Sequence, residues 1–274
     1  MPKSNRRSPI SVEELALALP GESTYDRVLD EALKIFYFGM CGAVLLCFVA
    51  VQWIHHLFPG RVQMHYMATF VALVIVPVCA VIVVKSFRRA QNAILGLRGE
   101  KYVGERLERL RSLGYEVFHD LPGQPLAKPK RRWNVDHVIV GPAGVFAVET
   151  KTWRKFKDRD QKIQFDGEML KLDGRPLPDR YKDPVCQSAR NARRVSDVLK
   201  ASTRREFAVR SVLTFPGWYV TMEGAAWRGA AWVINPKGLA KLLPQQPQVL
   251  SPEDVALVAD RLDVYIRDAR QKMA

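Results

Sequence analysis

The chain has 274 residues, 48% of them apolar, and a formal net charge of +14. That size suits one α/β domain plus an additional segment. Its four cysteines (Cys41, Cys47, Cys79 and Cys186) make no CxxC pair and no zinc spacing, which excludes a disulfide-stapled or zinc-finger module and leaves no disulfide partner to expect.

Residues 1–30 are polar and read as an N-terminal cytoplasmic segment, with a short helix expected in "SVEELALAL". Residues 35–60 and 62–84 then contain no Asp, Glu, Lys or Arg. Within them, 35–54 and 66–84 are each long enough to cross a hydrocarbon core as a helix. Both runs are apolar all round rather than along one stripe, which fits lipid better than the core of a soluble protein. Pro77 is tolerated in such a helix. The first run starts too far from Met1 for an ordinary signal peptide. Residues 31–86 therefore read as a transmembrane helical hairpin. Lys3, Arg6, Arg7, Arg27 and Lys34 precede it, Lys85, Arg88 and Arg89 follow it, and the connection holds only Arg61. The positive-inside rule places both termini in the cytoplasm, in a multi-pass protein of the cell's inner membrane. Residues 1–84 are electrically balanced, so the whole surplus of +14 falls on the cytoplasmic part. A basic domain at a membrane has two polyanions to meet, nucleic acid and anionic lipid.

From residue 90 onward the chain reads as one α/β domain around a mixed sheet. A helix runs to about Leu113 with Gly114 as its C-cap and Val103, Leu107 and Leu110 on one face. "YEVFHDL" is a strand, and "PGQPLAKPKRR" is a basic loop. "KIQFDGEMLKL" reads as a hairpin turning at Asp166-Gly167. "DPVCQSARNARRVSDVLKA" is a helix with Asp183 at the N-cap and Pro184 at its first position. "FAVRSVLTF" and "AAWVI" are strands. The terminal helix opens on Ser251 and Asp254, a capping-box-like start.

Between these lies "WNVDHVIVGPAGVFAVETKTW" (133–153), a hairpin built for burial that nevertheless carries Asp136, Glu149 and Lys151. If it turns at Pro142-Ala143, Asp136 lies across from Glu149 with Cβ atoms roughly 5 Å apart. Lys151 shares the face of Glu149, while His137 points to the opposite one. Facing carboxylates need a cation, supplied by Lys151, by a divalent metal, or by both. Two carboxylates can hold Mg²⁺ or Mn²⁺, and a lysine can offset charge developing on a phosphate. A partly buried ion pair with no chemistry satisfies the same spacing.

The Asp136…Glu149-Thr150-Lys151 pattern resembles the PD-(D/E)xK nuclease signature. Gly99-Glu100, Gly104-Glu105, the hairpin, and Asn191 after "DPVCQ" together resemble the nuclease-related domain (NERD) family over roughly 98–215. Val135 stands where the superfamily usually has Pro. The resemblance implies a restriction-endonuclease-like mixed sheet flanked by helices. It implies Asp136 and Glu149 as metal ligands and Lys151 as the catalytic lysine. It further implies Glu105 as the acidic residue of the first helix and Gln187 as the helix glutamine.

Basic residues flank this constellation. Lys130, Arg131 and Arg132 precede the hairpin, Arg154 and Lys155 follow it, and Arg190, Arg193 and Arg194 share the helix of Gln187. With Trp and Phe interleaved they suit phosphate contacts and stacking on unpaired bases. The expected function is that of a membrane-anchored, metal-dependent nuclease for DNA or RNA. The alternatives are a catalytically inactive nucleic-acid-binding or membrane scaffold protein of the same fold, and a module whose basic loops bind lipid headgroups.

Overall fold

The computed structural model describes residues 20–56, 65–123, 133–155, 161–178, 183–229 and 231–272. The expected helix in "SVEELALAL" and the loop carrying Lys130, Arg131 and Arg132 lie outside the described residues. The chain divides into two units, 23–97 and the remainder.

Two helices dominate the first unit: α1 (Glu22–His56) and α2 (His65–Leu107). Both are long and apolar enough to cross a membrane. They are not core helices: none of the most apolar window of α1, and 11% of that of α2, is buried. They run antiparallel. Near one end Gly96 approaches the Thr24 side chain, further along Gly42 meets the Cβ of Cys79, and then Trp53 Nε1 donates to Thr69 Oγ1 at 2.8 Å. What is buried here is small: Thr24, Gly42, Ala72, Cys79, Ser86 and Ala90. Small residues let helix backbones approach where no hydrophobic drive operates, as in lipid.

In the second unit, α2 tightens after Leu107 into a 3-10 turn, Glu108–Leu113, and stops at Gly114 in the left-handed region (φ 79°). Val103, Leu107 and Leu110 are all buried, as their shared face requires. The strands are β1 (Glu116–Pro122), β2 (Asn134–Gly141), β3 (Gly144–Thr150), β4 (Lys162–Phe165), β5 (Leu170–Leu172), β6 (Arg175–Pro176), β7 (Val209–Thr214), β8 (Tyr219–Met222) and β9 (Ala231–Ile234). The later helices are α3 (Pro184–Thr203), α4 (Pro236–Leu242) and α5 (Pro252–Gln271).

The strands form two sheets, where the sequence suggested one. The larger has the order β1-β2-β3-β7-β9 and the smaller β6-β5-β4-β8. In the larger sheet β1, β2 and β3 are antiparallel neighbours, whereas β3–β7 and β7–β9 are parallel, so the sheet is mixed. One of its faces, with Val138, Val140, Val145 and Ala147, meets α3 and α5 through Val195, Leu199, Val258 and Leu262. The other, with Ile139, Phe146 and Val148, meets Val103, Leu107, Leu110, Leu239 and Leu243. Buried side chains at this density supply the hydrophobic stabilisation, roughly 25 cal/mol per Å² of apolar surface.

The second hairpin also differs from expectation. Phe165 pairs with Leu170, so the connection is 166–169 rather than a two-residue turn at Asp166-Gly167. Asp166 Oδ1 accepts from the backbone N–H groups of Glu168 and Met169, closing an Asx-type turn. Lys171 holds the other carboxyl oxygen at 2.8 Å.

Candidate active site

The β2–β3 register is the one the turn at Pro142-Ala143 dictates, running from Gly141↔Gly144 to His137↔Val148. The backbone ladder ends there, one pair short of Asp136 and Glu149. Asp136 continues it with a side chain: Oδ2 accepts the Thr150 N–H at 2.7 Å. On its other side β1 is interrupted at the facing position, where Asp120 adopts φ 49° and drops out of the pairing.

Glu149 sits near the end of β3, a strand buried along its whole length. It is 3% exposed, and a charge so placed requires partners. It has three. Lys151 Nζ and Gln187 Nε2 donate to Oε1 at 2.6 and 2.7 Å, and Asn191 Nδ2 donates to Oε2 at 2.7 Å. The two amides come from one face of α3, four residues apart.

That helix is fixed locally. Asp183 caps it by accepting from Cys186 N at 3.0 Å, with Pro184 in the first turn. Ser188, fully buried, meets Ser211 Oγ of β7 at 2.6 Å and donates to the Val212 carbonyl. Gln187 and Asn191 are thereby aimed at β3. Arg194 donates to Asn191 Oδ1 at 3.1 Å and lies 4.8 Å over the Trp133 ring, so it holds the amide that holds Glu149.

A third carboxylate acts here. The Asp136 carboxyl is pushed well above the usual range, first by burial, then by the charges of Glu149 and Glu100, against the Thr150 N–H and Lys151. Glu100 lies on α2 beside Gly99, whose Cα faces Thr152. A Cβ on Gly99 would stand 1.7 Å from Thr152 Oγ1. Gly99→Ala should therefore destabilise the domain by about 1–3 kcal/mol and disturb Glu100. Thermal melting of Gly99→Ala alone and with Thr152→Gly checks this, the second change being expected to restore the midpoint.

Of the residues expected from sequence, Asp136, Glu149, Lys151 and Gln187 converge. Glu105 is exposed, and the carboxylate of this helix that acts on Asp136 is Glu100. Arg154, Lys155 and Arg190 are exposed; Lys155 lies over the Trp218 ring, and Arg190 donates to Cys186 Sγ. Lys130, Arg131 and Arg132 fall outside the described residues. Sequence reasoning gave no role to Asn191 or Glu100. The four-residue step from Gln187 to Asn191 was the available signal for the first. Gly99-Glu100 carries part of the family resemblance, but nothing local marks the proximity of Glu100 to Asp136, which depends on the close approach at Gly99.

His137 is buried on the opposite face. Its Nδ1 lies 2.8 Å from His119 Nδ1, and His119 Nε2 lies 2.7 Å from Glu108 Oε1. Glu108 is held ionised by Arg111 and His119, so it accepts from His119 Nε2–H. Neutral His119 then accepts at Nδ1 from His137, which leaves His137 Nε2 an unpaired acceptor. Burial holds both imidazoles below their ordinary pKa.

Residues 95–216 match the family model of NERD, the nuclease-related domain. The NERD match contains Glu100, Asp136, Glu149, Lys151, Gln187 and Asn191, and stops short of β8, β9, α4 and α5. Neither a search of curated proteins nor one of solved structures gives a match.

The donor set fits a hard divalent cation. Asp136 and Glu149 offer carboxylate oxygens, the donor type such an ion takes. Among the described residues no group of three or more His, Cys, Asp or Glu side chains is placed to hold a metal ion.

Proposed function

We propose that this chain is a membrane-anchored, Mg²⁺- or Mn²⁺-dependent nuclease that hydrolyses phosphodiester bonds of DNA or RNA through Asp136, Glu149 and Lys151. The observation that carries this is the convergence of two carboxylates and a lysine at the end of two buried strands, inside a nuclease-related match. Asp136 and Glu149 would hold the ion, which when bound polarises a phosphoryl oxygen and lowers the pKa of a ligated water. Gln187 and Asn191 fix the Glu149 carboxylate, so its orientation does not depend on Lys151 alone. Lys151, part exposed at 24%, can reach out to the phosphate and offset its developing charge. Exposed Arg154, Lys155 and Arg190 supply sequence-independent phosphate contacts.

The test is cleavage by the full chain in detergent of single- and double-stranded DNA and RNA, with Mg²⁺, Mn²⁺ or EDTA. Metal-dependent cleavage that Asp136→Asn abolishes is expected. Binding without cleavage under every metal condition would replace this reading with the inactive nucleic-acid-binding one.

The anchor is α1 and the first part of α2, with both termini cytoplasmic. The charge-free runs and the basic residues outside them support this topology. Cysteines introduced at Gln63 and Ala274, in a background lacking native cysteines, should label from outside and only after permeabilisation, respectively. Labelling at 274 in intact cells reverses the orientation.

A further inference from the structure

On the face of the larger sheet away from Glu149, the end of α2 and its 3-10 extension meet α4 around a cavity of about 330 Å³. Four of its lining side chains are cations: Arg106, Arg109, Lys237 and Lys241. No carboxylate lines it. Arg106 is tethered, its guanidinium 3.4 Å from the Tyr102 ring centroid and donating to the Tyr102 carbonyl at 3.3 Å. Among the described residues no ion pair engages Arg109, Lys237 or Lys241. Of the two adjacent acids, Glu108 is taken by Arg111 and His119, and Glu105 is exposed and does not line the cavity. Leu110, buried, and Leu113, exposed, give the cavity an apolar side.

Like charges converging on a concavity repel one another, and the arrangement is relieved when an anion enters. Arg and Lys together suit phosphate, Arg by its planar fork and Lys as a point charge. The volume is at the lower end of the roughly 300–1,000 Å³ of small-ligand pockets, a scale that takes a phosphate-bearing headgroup or a diphosphate rather than a nucleic-acid helix. We propose that Arg106, Arg109, Lys237 and Lys241 form a binding site for a compact phosphate-bearing anion, separate from the carboxylate site. Two of the four, Lys237 and Lys241, lie beyond the nuclease-related match, so the site combines that domain with the chain that follows it.

The probe is inorganic pyrophosphate, titrated in EDTA into the full chain in detergent. Wild type and Asp136→Asn should bind it saturably, one per chain, with equal affinity. The triple variant Arg109→Gln, Lys237→Gln, Lys241→Gln removes three exposed cations and no buried contact. It should bind on the order of 10²-fold more weakly, at about fivefold per cation. A second arm places the chain in nanodiscs of phosphatidylcholine with or without phosphatidylglycerol and follows hydrogen exchange over 106–113 and 237–243. Slowing by phosphatidylglycerol that pyrophosphate does not add to identifies a lipid headgroup as the source. Slowing by pyrophosphate alone identifies a soluble phosphate. Wild type that neither binds pyrophosphate nor responds to phosphatidylglycerol removes the site, as does a triple variant that binds like wild type. A triple variant that loses oligonucleotide binding in the same proportion as pyrophosphate binding makes these cations part of a nucleic-acid surface and overturns the proposal.

Discussion

Lys151→Ala should lower the single-turnover cleavage rate by about 10²-fold or more, the usual scale for removing one group that stabilises transition-state charge. Nucleic-acid affinity should hardly move. The reason is geometric: Lys151 Nζ donates to Glu149 Oε1, so its charge is spent on the Glu149 carboxylate. In the proposed reaction its value would lie in offsetting phosphate charge that develops beside it, while grip would come from many other cations. The fold should survive, because Gln187 and Asn191 still satisfy Glu149 after the lysine is gone. A thermal melt verifies that before rates are compared. Replacing Lys130, Arg131 and Arg132 by Ala should do the reverse, weakening binding and flattening its salt dependence at an unchanged single-turnover rate. If Lys151→Ala cuts at the wild-type rate, the ammonium is a counter-charge in a structural ion pair, the plainer reading of the same 2.6 Å contact.

What the sequence made legible is what short-range physics decides. The Gly-Pro-Ala-Gly turn and the alternation around it set the β2–β3 register, and that register alone put Asp136 beside the end of β3. Asp183 and Pro184 announced α3, and Ser251 announced α5, because caps act within one turn. Of the smaller sheet only the β4–β5 hairpin was legible. Its strands are two to four residues long, and β4 finds β8 in parallel pairing across α3 and β7, which no local pattern encodes. The tetrad around Glu149 was half legible. Lys151 and Glu149 share a strand face, but the amides of Gln187 and Asn191 reach Glu149 only because Ser188 seats their helix on β7. Glu100 was legible only as part of the Gly99-Glu100 pair that carries the resemblance; its approach to Asp136 was not, since it depends on the missing side chain of Gly99.

The second large effect concerns Asp136 and reverses sign with metal. Burial, Glu149 and Glu100 raise its folded-state pKa well above the ordinary carboxylate value. A raised folded pKa means the folded chain holds the proton more tightly than the unfolded one. Stability is therefore lost as pH climbs from the unfolded value, about 4, through the folded one, and stays lost above it. At any pH well above the unfolded value, in EDTA, the Asp136 carboxyl is a net cost to folding, and Asp136→Asn removes it. The substituted amide oxygen can still accept the Thr150 N–H, so the side-chain continuation of the ladder is kept. The variant should melt higher than wild type by about 2–4 °C for each kcal/mol relieved in a domain of this size. The gap should narrow as pH is lowered toward about 4, where wild-type Asp136 becomes increasingly protonated in the unfolded chain as well. Saturating Mg²⁺ then inverts the order. Wild type gains about 2.7 kcal/mol at a hundred times its dissociation constant, the variant gains little, and metal affinity and cleavage fall together. Differential scanning calorimetry with and without Mg²⁺, from pH 4 to 8, reads all of this. A variant that melts below wild type in EDTA at pH 7 while binding Mg²⁺ equally well would show that Asp136 is a structural acceptor for Thr150 and not a metal ligand.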